Sequence, residues 1–208
     1  QAGQRHAQAM RVILGAGTGM GVAWLTWSNG RYVALPTEAG HMDFAPTTAL
    51  QIELLESLQQ KFGHVSVERV LSGTGITDIF NFLWVRAPSL LGLPPIELTE
   101  DSGATVAALA QIEKHPIAIH ALDLFAEIYG AYAGSLALAG LCHGGVYIAG
   151  GIAPKIIETL GMGGFMRAFR TKGRFSAVMY GIPVYVVTNT EISLLGARNA
   201  AHNLLIGN

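Results

Sequence analysis

The chain has 208 residues, of which 50% are hydrophobic and 13% are charged, and its formal net charge at pH 7 is -1. This composition is typical of a compact α/β domain with a large core, and it excludes a disordered tail. No run of lysine or arginine occurs, so the sequence offers no electrostatic basis for binding nucleic acid.

The cysteine content and the length of the apolar runs indicate in which cellular compartment the protein would be found. Cys142 is the only cysteine, which excludes a disulfide within the chain and favours a reducing environment. The longest apolar run, AYAGSLALAGL, is about half the length that a membrane-spanning helix needs. We therefore expect a cytoplasmic protein with no membrane segment.

The beginning of the chain predicts an antiparallel meander. Residues 11–14, 22–27 and 31–35 have the composition of short strands. The last two are joined by Ser28-Asn29-Gly30, and Asn-Gly favours the positive φ angles of a tight hairpin turn. Residues 1–10 lead directly into the first strand without an initiator methionine, so we interpret the chain as a fragment of a longer one.

Helices and strands follow the meander. Thr47 or Thr48 can cap a helix that ends near Gly63, and its apolar residues recur at helical spacing. The remaining predicted elements are a strand at 65–71, a helix at 76–84, a loop at 87–95, a helical region at 99–141 interrupted near 114–116, a strand within 146–151, a helix at 152–160, a strand at 182–189 and a helix at 194–205.

The segment GAGTGMG, at 15–21, is the first candidate for binding chemistry. It lacks the Gly-Lys-Ser/Thr of a P-loop, and Met20 breaks the dinucleotide-binding fingerprint. Its glycines would let the backbone approach a phosphate, with the Thr18 hydroxyl beside it. Alone, the motif is also compatible with a tight hairpin whose glycines serve steric needs.

The segment TEAGHMDFAP, at 37–46, is a polar loop after the third predicted strand. Glu38 and Asp43 could cap the following helix, or a carboxylate and the His41 imidazole of this loop could bind a sugar, because both kinds of group can hydrogen-bond to hydroxyl groups. Glu68, inside the predicted strand at 65–71, is a further polar candidate, since burying a lone carboxylate is costly.

Two segments, VLSGTGI and YIAGGIA, share the order strand, glycine turn, helix. In an open α/β sheet this order places helix N-termini at strand ends, where backbone N–H groups favour anions. The repetition predicts a shared nucleotide site.

Together these segments resemble a known family. ILGAGTGMGVA, LPTEAGHMDFAP, HVSVERVLSGTGI, VYIAGGIAPK and LLGARNAA, in this order, resemble the bacterial glucokinases of the sugar kinase, Hsp70 and actin superfamily. The resemblance implies an α/β fold, an actin-like (ribonuclease H-like) lobe with a mixed five-stranded sheet flanked by helices. It also implies phosphorylation of glucose on its 6-hydroxyl by ATP with Mg²⁺.

The resemblance further implies which residues bind the two substrates. Glucose would be held by Glu38, His41 and Glu68. The nucleotide would be bound by Gly15, Ala16, Gly17, Thr18, Gly19, Gly21, Ser72, Gly73, Gly150 and Gly151. No metal-ligating residue is implied, since Mg²⁺ would be held mainly through the phosphates.

The chain departs from the family pattern in one respect. The family's first phosphate loop, of Asp-Gly-Gly-Thr type, and its general-base aspartate in an Asn-Asp pair belong to a smaller N-terminal lobe, and neither motif occurs here. None of Asp43, Asp78, Asp101 and Asp123 follows an asparagine. We therefore expect residues 1–10 to come from the inter-lobe region, residues 11–208 to form the larger C-terminal lobe, and catalysis by this chain alone to be negligible.

Two further expectations concern partners and the alternative function. The family often forms homodimers, so a homodimer is possible. The alternative is a non-catalytic sugar-binding or regulatory module that keeps the scaffold but has lost the chemistry.

Overall fold

A computed structural model describes residues 2–87, 96, 98 and 102–205 of the chain. Its centre is a five-stranded sheet in the order β3-β2-β1-β4-β5. The strands are β1 (Arg11–Ala16), β2 (Met20–Ser28), β3 (Arg31–Thr37), β4 (Val146–Ala149) and β5 (Val184–Val186). The first three are antiparallel, whereas β4 and β5 run parallel to β1. The predicted mixed sheet with an antiparallel start is confirmed.

Two tight turns connect the three strands of the antiparallel meander, β1, β2 and β3. Asn29 and Gly30 have φ angles of 50° and 77°, so the predicted turn between β2 and β3 is confirmed. Residues 17–19 connect β1 to β2, and the Gly17 N–H donates to the Gly19 carbonyl oxygen at 2.8 Å. The GAGTGMG segment is therefore a hairpin, with Gly15 and Gly21 paired across it.

Nine α-helices lie in the described part of the chain. They are α1 (Ala49–Phe62), α2 (Val67–Val70), α3 (Gly73–Arg86), α4 (Gly103–Gln111), α5 (Pro116–Ala139), α6 (Ile157–Gly161), α7 (Gly164–Arg170), α8 (Ser176–Gly181) and α9 (Ile192–Leu205). Among these described helices, none combines the length and apolar character that crossing a membrane requires.

Local signals predicted several helices correctly. The Thr48 hydroxyl caps α1 by accepting from the Gln51 N–H at 3.3 Å, and Gly63 follows its last residue. The break at 114–116 separates α4 from α5, and α9 begins two residues before its predicted start at 194. The predicted loop at 87–95 lies, apart from Ala87, outside the described residues, as does Asp101.

The predicted strand at 65–71 is wrong, because residues 67–70 form the short helix α2. Val67, Val70 and Leu71 are buried, at a helical spacing of three and four residues. The segment meets another extended segment only at an isolated bridge between Asp43 and Ser66. The β-branched composition was therefore misleading, and VLSGTGI does not begin with a strand.

The predicted helix at 152–160 is only partly correct. Residues 151–156 form turns, and helix α6 starts at Ile157. The Ile152 N–H donates to the Ala16 carbonyl oxygen of β1, which holds the start of this segment against the sheet. Helices α7 and α8, which follow, were not predicted.

Helix α5 covers one face of the sheet. Val12 and Leu14 of β1 and Ile148 of β4 are buried on that face, and the α5 residue Tyr129 reaches the backbone of β1. Helix α7 packs closely on α5, because a Cβ atom on Gly130 would overlap the Phe165 carbonyl oxygen. The core between the sheet and these helices fixes the strand ends at which the candidate site lies.

Candidate functional site

The backbone of Met20, the first residue of β2, joins the glycine hairpin to two of the predicted sugar-binding segments. Its N–H donates to Glu68 Oε2 at 2.8 Å. Its carbonyl oxygen lies so close to Gly40 that a Cβ atom there would overlap it. The hairpin, the polar loop and Glu68 therefore meet at one place.

Glu68 lies on α2 directly behind the hairpin turn. Its side chain is half-buried, and its carboxylate would collide with any Cβ atom on Gly19. The steric alternative raised for the hairpin glycines therefore applies at Gly19. The carboxylate oxygen that binds Met20 is engaged, and the proposed contact of Glu68 with sugar stays a prediction.

Glu38 and His41 flank a single turn of 3₁₀ helix, Ala39–His41. Their side chains are 92% and 61% exposed, and His41 Nε2 lies 3.7 Å from Glu38 Oε2. The alternative role of Glu38 and Asp43 as caps of the following helix is wrong, because Thr48 caps α1. Both Glu38 and His41 are accessible to a ligand.

The loop after His41 is held against the segment that leads to Glu68. The Val67 N–H donates to the Met42 carbonyl oxygen at 2.8 Å, and the Phe44 N–H donates to Val65 at 3.0 Å. These two hydrogen bonds fix the position of the loop relative to α2, and therefore relative to Glu68.

A cleft of about 360 Å³ lies beyond the carboxyl ends of the parallel strands β1 and β4. In open α/β sheets this is the position at which ligands bind. Four of the residues predicted to contact nucleotide line it: Gly17, Thr18, Gly73 and Gly151.

Backbone contacts bring these three segments together. The Gly73 N–H donates to the Gly17 carbonyl oxygen at 2.9 Å, which attaches the start of α3 to the hairpin turn. The Ile152 N–H reaches the Ala16 carbonyl oxygen at 3.3 Å. Gly150 has a φ of +85°, and a Cβ atom on it would overlap that same oxygen.

The other residues predicted to contact nucleotide do not line this cleft. Ser72 is buried, and its hydroxyl caps α3 by accepting from the Gly75 N–H at 3.1 Å. A Cβ atom on Gly15 would lie 3.2 Å from the Gly150 nitrogen, whereas one on Gly21 would meet nothing within 4 Å. The cleft lining does not include Gly15, Ala16, Gly19, Gly21, Ser72 and Gly150.

Two tyrosines of α5 form hydrogen bonds to the end of β1, at the hairpin, and to the polar loop. The Tyr129 hydroxyl, fully buried, accepts from the Ala16 N–H and donates to the Leu14 carbonyl oxygen, both at 3.3 Å. The Tyr132 hydroxyl donates to the Ala39 carbonyl oxygen at 2.7 Å. Burial raises the pKa of Tyr129, and it raises the pKa of Tyr132 to about 12.

Sequence reasoning missed several residues at the cleft and beneath it. Lys155 lines the cleft, and its place in YIAGGIAPK, directly after the glycine turn, could have drawn attention to it. Gly103, at the start of α4, also lines it, and a Cβ atom there would lie 2.5 Å from the Gly73 carbonyl oxygen. No local signal predicts that contact, nor those of Tyr129 and Tyr132, since all depend on tertiary packing.

The mixed sheet, the glycine hairpin and the cleft at the strand ends are those of the actin-like ATPase fold, which sugar kinases share. The sequence profile of glucokinase matches residues 1–204. A glucokinase from a Nostoc species is 39% identical over 219 residues, covering 98% of this chain and 64% of that protein. The chain belongs to the glucokinase family.

Solved structures agree with this family. The crystal structure of a glucokinase from an Antarctic psychrotroph has a TM-score of 0.83 and 33% identity, covering 98% of this chain and 61% of that one. A ROK family glucokinase from Streptomyces griseus, crystallised with glucose and AMPPNP, shares the fold at a TM-score of 0.54 and 19% identity, covering 88% of this chain and 56% of that one. The chain thus spans less than two thirds of these relatives.

Proposed function

We propose that this chain is the larger lobe of an ATP-dependent glucokinase and carries most of its contacts to glucose and nucleotide. The observation that supports this most directly is the meeting of Glu68, the polar loop and the hairpin at Met20. A sugar hydroxyl and a terminal phosphate must lie side by side for phosphoryl transfer, and this arrangement would hold them so. The glucose and AMPPNP in the Streptomyces griseus structure suggest the same two ligands here.

Each segment has a distinct role in this proposal. The Thr18 and Gly19 N–H groups and the Thr18 hydroxyl would face the β- and γ-phosphates, because backbone N–H groups in a turn favour anions. The Gly17 N–H is engaged by the Gly19 carbonyl oxygen. The turn at Gly150 and Gly151 would lie against the nucleoside. The carboxylates of Glu38 and Glu68 would accept hydrogen bonds from sugar hydroxyls. The His41 imidazole would donate to a sugar hydroxyl or accept from one.

Magnesium would be bound mainly through the nucleotide. The described residues contain no group of three His, Cys, Asp or Glu side chains that could hold a metal ion. Phosphate oxygens would then supply the contacts, and the ion would offset charge on the transferred group. The protein's part is to orient the phosphates at the hairpin.

The general base is proposed to come from the smaller N-terminal lobe. Asp43 is paired with His64 at 2.7 Å, and Asp78 is paired with Lys61 at 2.7 Å. Asp123 lies on α5, and none of these three aspartates lines the cleft. The chain alone should therefore show negligible glucose-dependent ATP consumption, and a normal rate would refute this part of the proposal.

Binding measurements test the sugar site separately from catalysis. Calorimetry with glucose should show at least about a tenfold loss of affinity for Glu38→Gln, His41→Ala and Glu68→Gln, since a charged hydrogen bond contributes about 1.5 to 3 kcal/mol. Glu56→Gln, an exposed carboxylate on α1, is the matched control. Unchanged affinity in all three variants would remove the assignment.

The position of the aspartates also favours a second candidate, a sugar-binding or regulatory module without catalysis. The two proposals predict different behaviour of the full-length protein towards glucose. Glucose binding without phosphorylation there would favour the module, whereas turnover would favour the kinase.

A further inference from the structure

A second cavity is lined in part by the C-terminal half of the polar loop. It has a volume of about 200 Å³ and is enclosed between β2, α5 and the loop at 42–47. Its walls are mostly apolar, with Trp24, Met42, Phe44, Val67, Ile128 and Leu136 among the lining residues. None of the residues proposed to bind glucose or nucleotide lines it.

One corner of this cavity is polar and contains a buried amide. Gln51 is only 2% exposed and lines the cavity. Its Oε1 accepts from the Thr47 N–H at 2.8 Å and from the Thr47 hydroxyl at 3.1 Å, which fixes the orientation of the carboxamide. The carboxamide nitrogen Nε2 carries two N–H donors, so the fixed carboxamide can donate to an acceptor that enters this corner.

Lys172 lines the same corner. Its ammonium donates to the Ala131 carbonyl oxygen at 2.8 Å and to Ser135 Oγ at 3.1 Å, which leaves one of its three protons uncommitted. No carboxylate in the described ranges pairs with it, and the nearby Glu127 is paired with Arg167. Burial lowers the pKa of Lys172, as expected for a half-buried cation without a counter-ion.

We propose that this cavity is a binding site for a small molecule with one apolar ring and one carboxylate. The ring would occupy the apolar walls, and the carboxylate would accept from the Gln51 carboxamide and the Lys172 ammonium. An apolar cavity of about 150 Å³ holds benzene, so 200 Å³ accommodates a single ring with a short acidic arm. Binding would place an anion beside Lys172, since Asp43, the carboxylate residue that also lines the cavity, is paired with His64.

Occupation of the cavity would also restrain the polar loop. Met42 and Phe44 line the cavity and directly follow the turn at Ala39–His41. Tyr132 lines it too and holds the Ala39 carbonyl oxygen. A ligand packed against these side chains should therefore slow the opening of residues 39–45.

Calorimetric titration of the 208-residue chain with phenylacetate tests the proposal. We expect phenylacetate to bind at millimolar concentration or below, phenylacetamide to bind at least about tenfold more weakly, and acetate to show no binding. Because the titration contains neither glucose nor nucleotide, its outcome is independent of the proposed kinase activity. Absence of phenylacetate binding would overturn the proposal.

Two variants locate the binding. Lys172→Met should weaken phenylacetate binding at least about tenfold, since it removes the charge and keeps the length of the side chain. Ala131→Leu should abolish binding by filling the cavity, and the exposed Lys114→Met is the control. Circular dichroism checks that each variant is folded. Equal affinity of the native chain and both cavity variants would place the ligand elsewhere and overturn the assignment.

Amide hydrogen exchange gives a second readout that needs no variant. Phenylacetate should slow exchange at residues 39–45, where the Met42 N–H donates to Ala39 and the Phe44 N–H donates to Val65. Unchanged exchange in this loop at saturating phenylacetate would also overturn the proposal.

Discussion

Gly150 is the residue on which the contact between the hairpin and the glycine turn at 150–151 depends. Its φ of +85° is a conformation that other residues rarely adopt. A Cβ atom there would overlap the Ala16 carbonyl oxygen and lie 2.9 Å from the Ala16 nitrogen. Any side chain at Gly150 would therefore both strain the turn and separate it from β1.

Gly150→Ala should lower the free energy of unfolding by at least about 1 to 2 kcal/mol, the cost of left-handed backbone for a residue with a Cβ atom. Gly151→Ala is the neighbouring control, because its Cβ atom would meet nothing within 4 Å and its φ lies outside the left-handed range. Urea denaturation of both variants measures the difference. Equal stability of the two variants would contradict the contact described for Gly150.

At the scale of elements, α5 connects the two proposed ligand segments. Tyr129 and Tyr132 lie three residues apart, so they project from neighbouring positions of the helix. One binds the backbone of β1 at the root of the hairpin, and the other binds the polar loop. A displacement of α5 would therefore disturb both segments.

Replacing each tyrosine in turn by phenylalanine measures separately what each hydroxyl hydrogen bond contributes to stability. Tyr129→Phe should cost about 1 to 3 kcal/mol, because it leaves the buried Ala16 N–H without its partner. Tyr132→Phe should cost about 0.5 to 1.5 kcal/mol, since its hydroxyl is only partly buried. Denaturation measures both costs.

Hydrogen exchange should be faster at Ala16 in Tyr129→Phe only. Tyr185→Phe, at an exposed position of β5, should change neither quantity. Similar effects of all three variants would mean that the hydrogen bonds of the Tyr129 and Tyr132 hydroxyls do not contribute to stability.

Elements with local signals could be predicted from the sequence. Helix α1 combines a threonine cap, helical spacing of apolar residues and a glycine stop, and the Asn29-Gly30 turn has one dominant conformation. The segment at 65–71 carries conflicting signals, because valines favour strands while the buried positions of Val67, Val70 and Leu71 follow a helix. Tertiary packing, absent from a local pattern, determined the outcome.

Some features of the candidate site could likewise be predicted from the sequence, and others could not. The spacing of glycines predicted where backbone segments would approach one another, and Gly17, Gly73 and Gly151 do line one cleft. The contact of Glu68 with Met20 could not be predicted, because it spans 48 residues and depends on α2 being helical. Residues that support the site from the core, such as Tyr129, have no sequence signature of their own.

At the scale of the whole molecule, burial of ionisable groups controls the response to alkaline pH. Burial raises the pKa of the Cys142 thiol from 9.0 to about 12 and that of Tyr132 from 10.0 to about 12, and it raises the pKa of Tyr129 as well. For each group the stabilising contribution is complete below the unfolded-state pKa and is lost as pH rises through the folded-state pKa. Lys172 acts oppositely, because its pKa is lowered from 10.5 and stability rises with pH between its two values.

The free energy of unfolding should therefore decline from pH 9 and fall more steeply above pH 10.5, where Lys172 no longer compensates. Each group with a raised pKa contributes a slope of about 1.4 kcal/mol per pH unit within its window. Cys142→Ala should flatten the decline between pH 9 and 10, and Lys172→Met should steepen the decline just below pH 10.5, as measured by urea denaturation at each pH. A native chain whose stability is constant between pH 9 and 11 would show that these side chains are solvated in solution, contrary to their burial in the core.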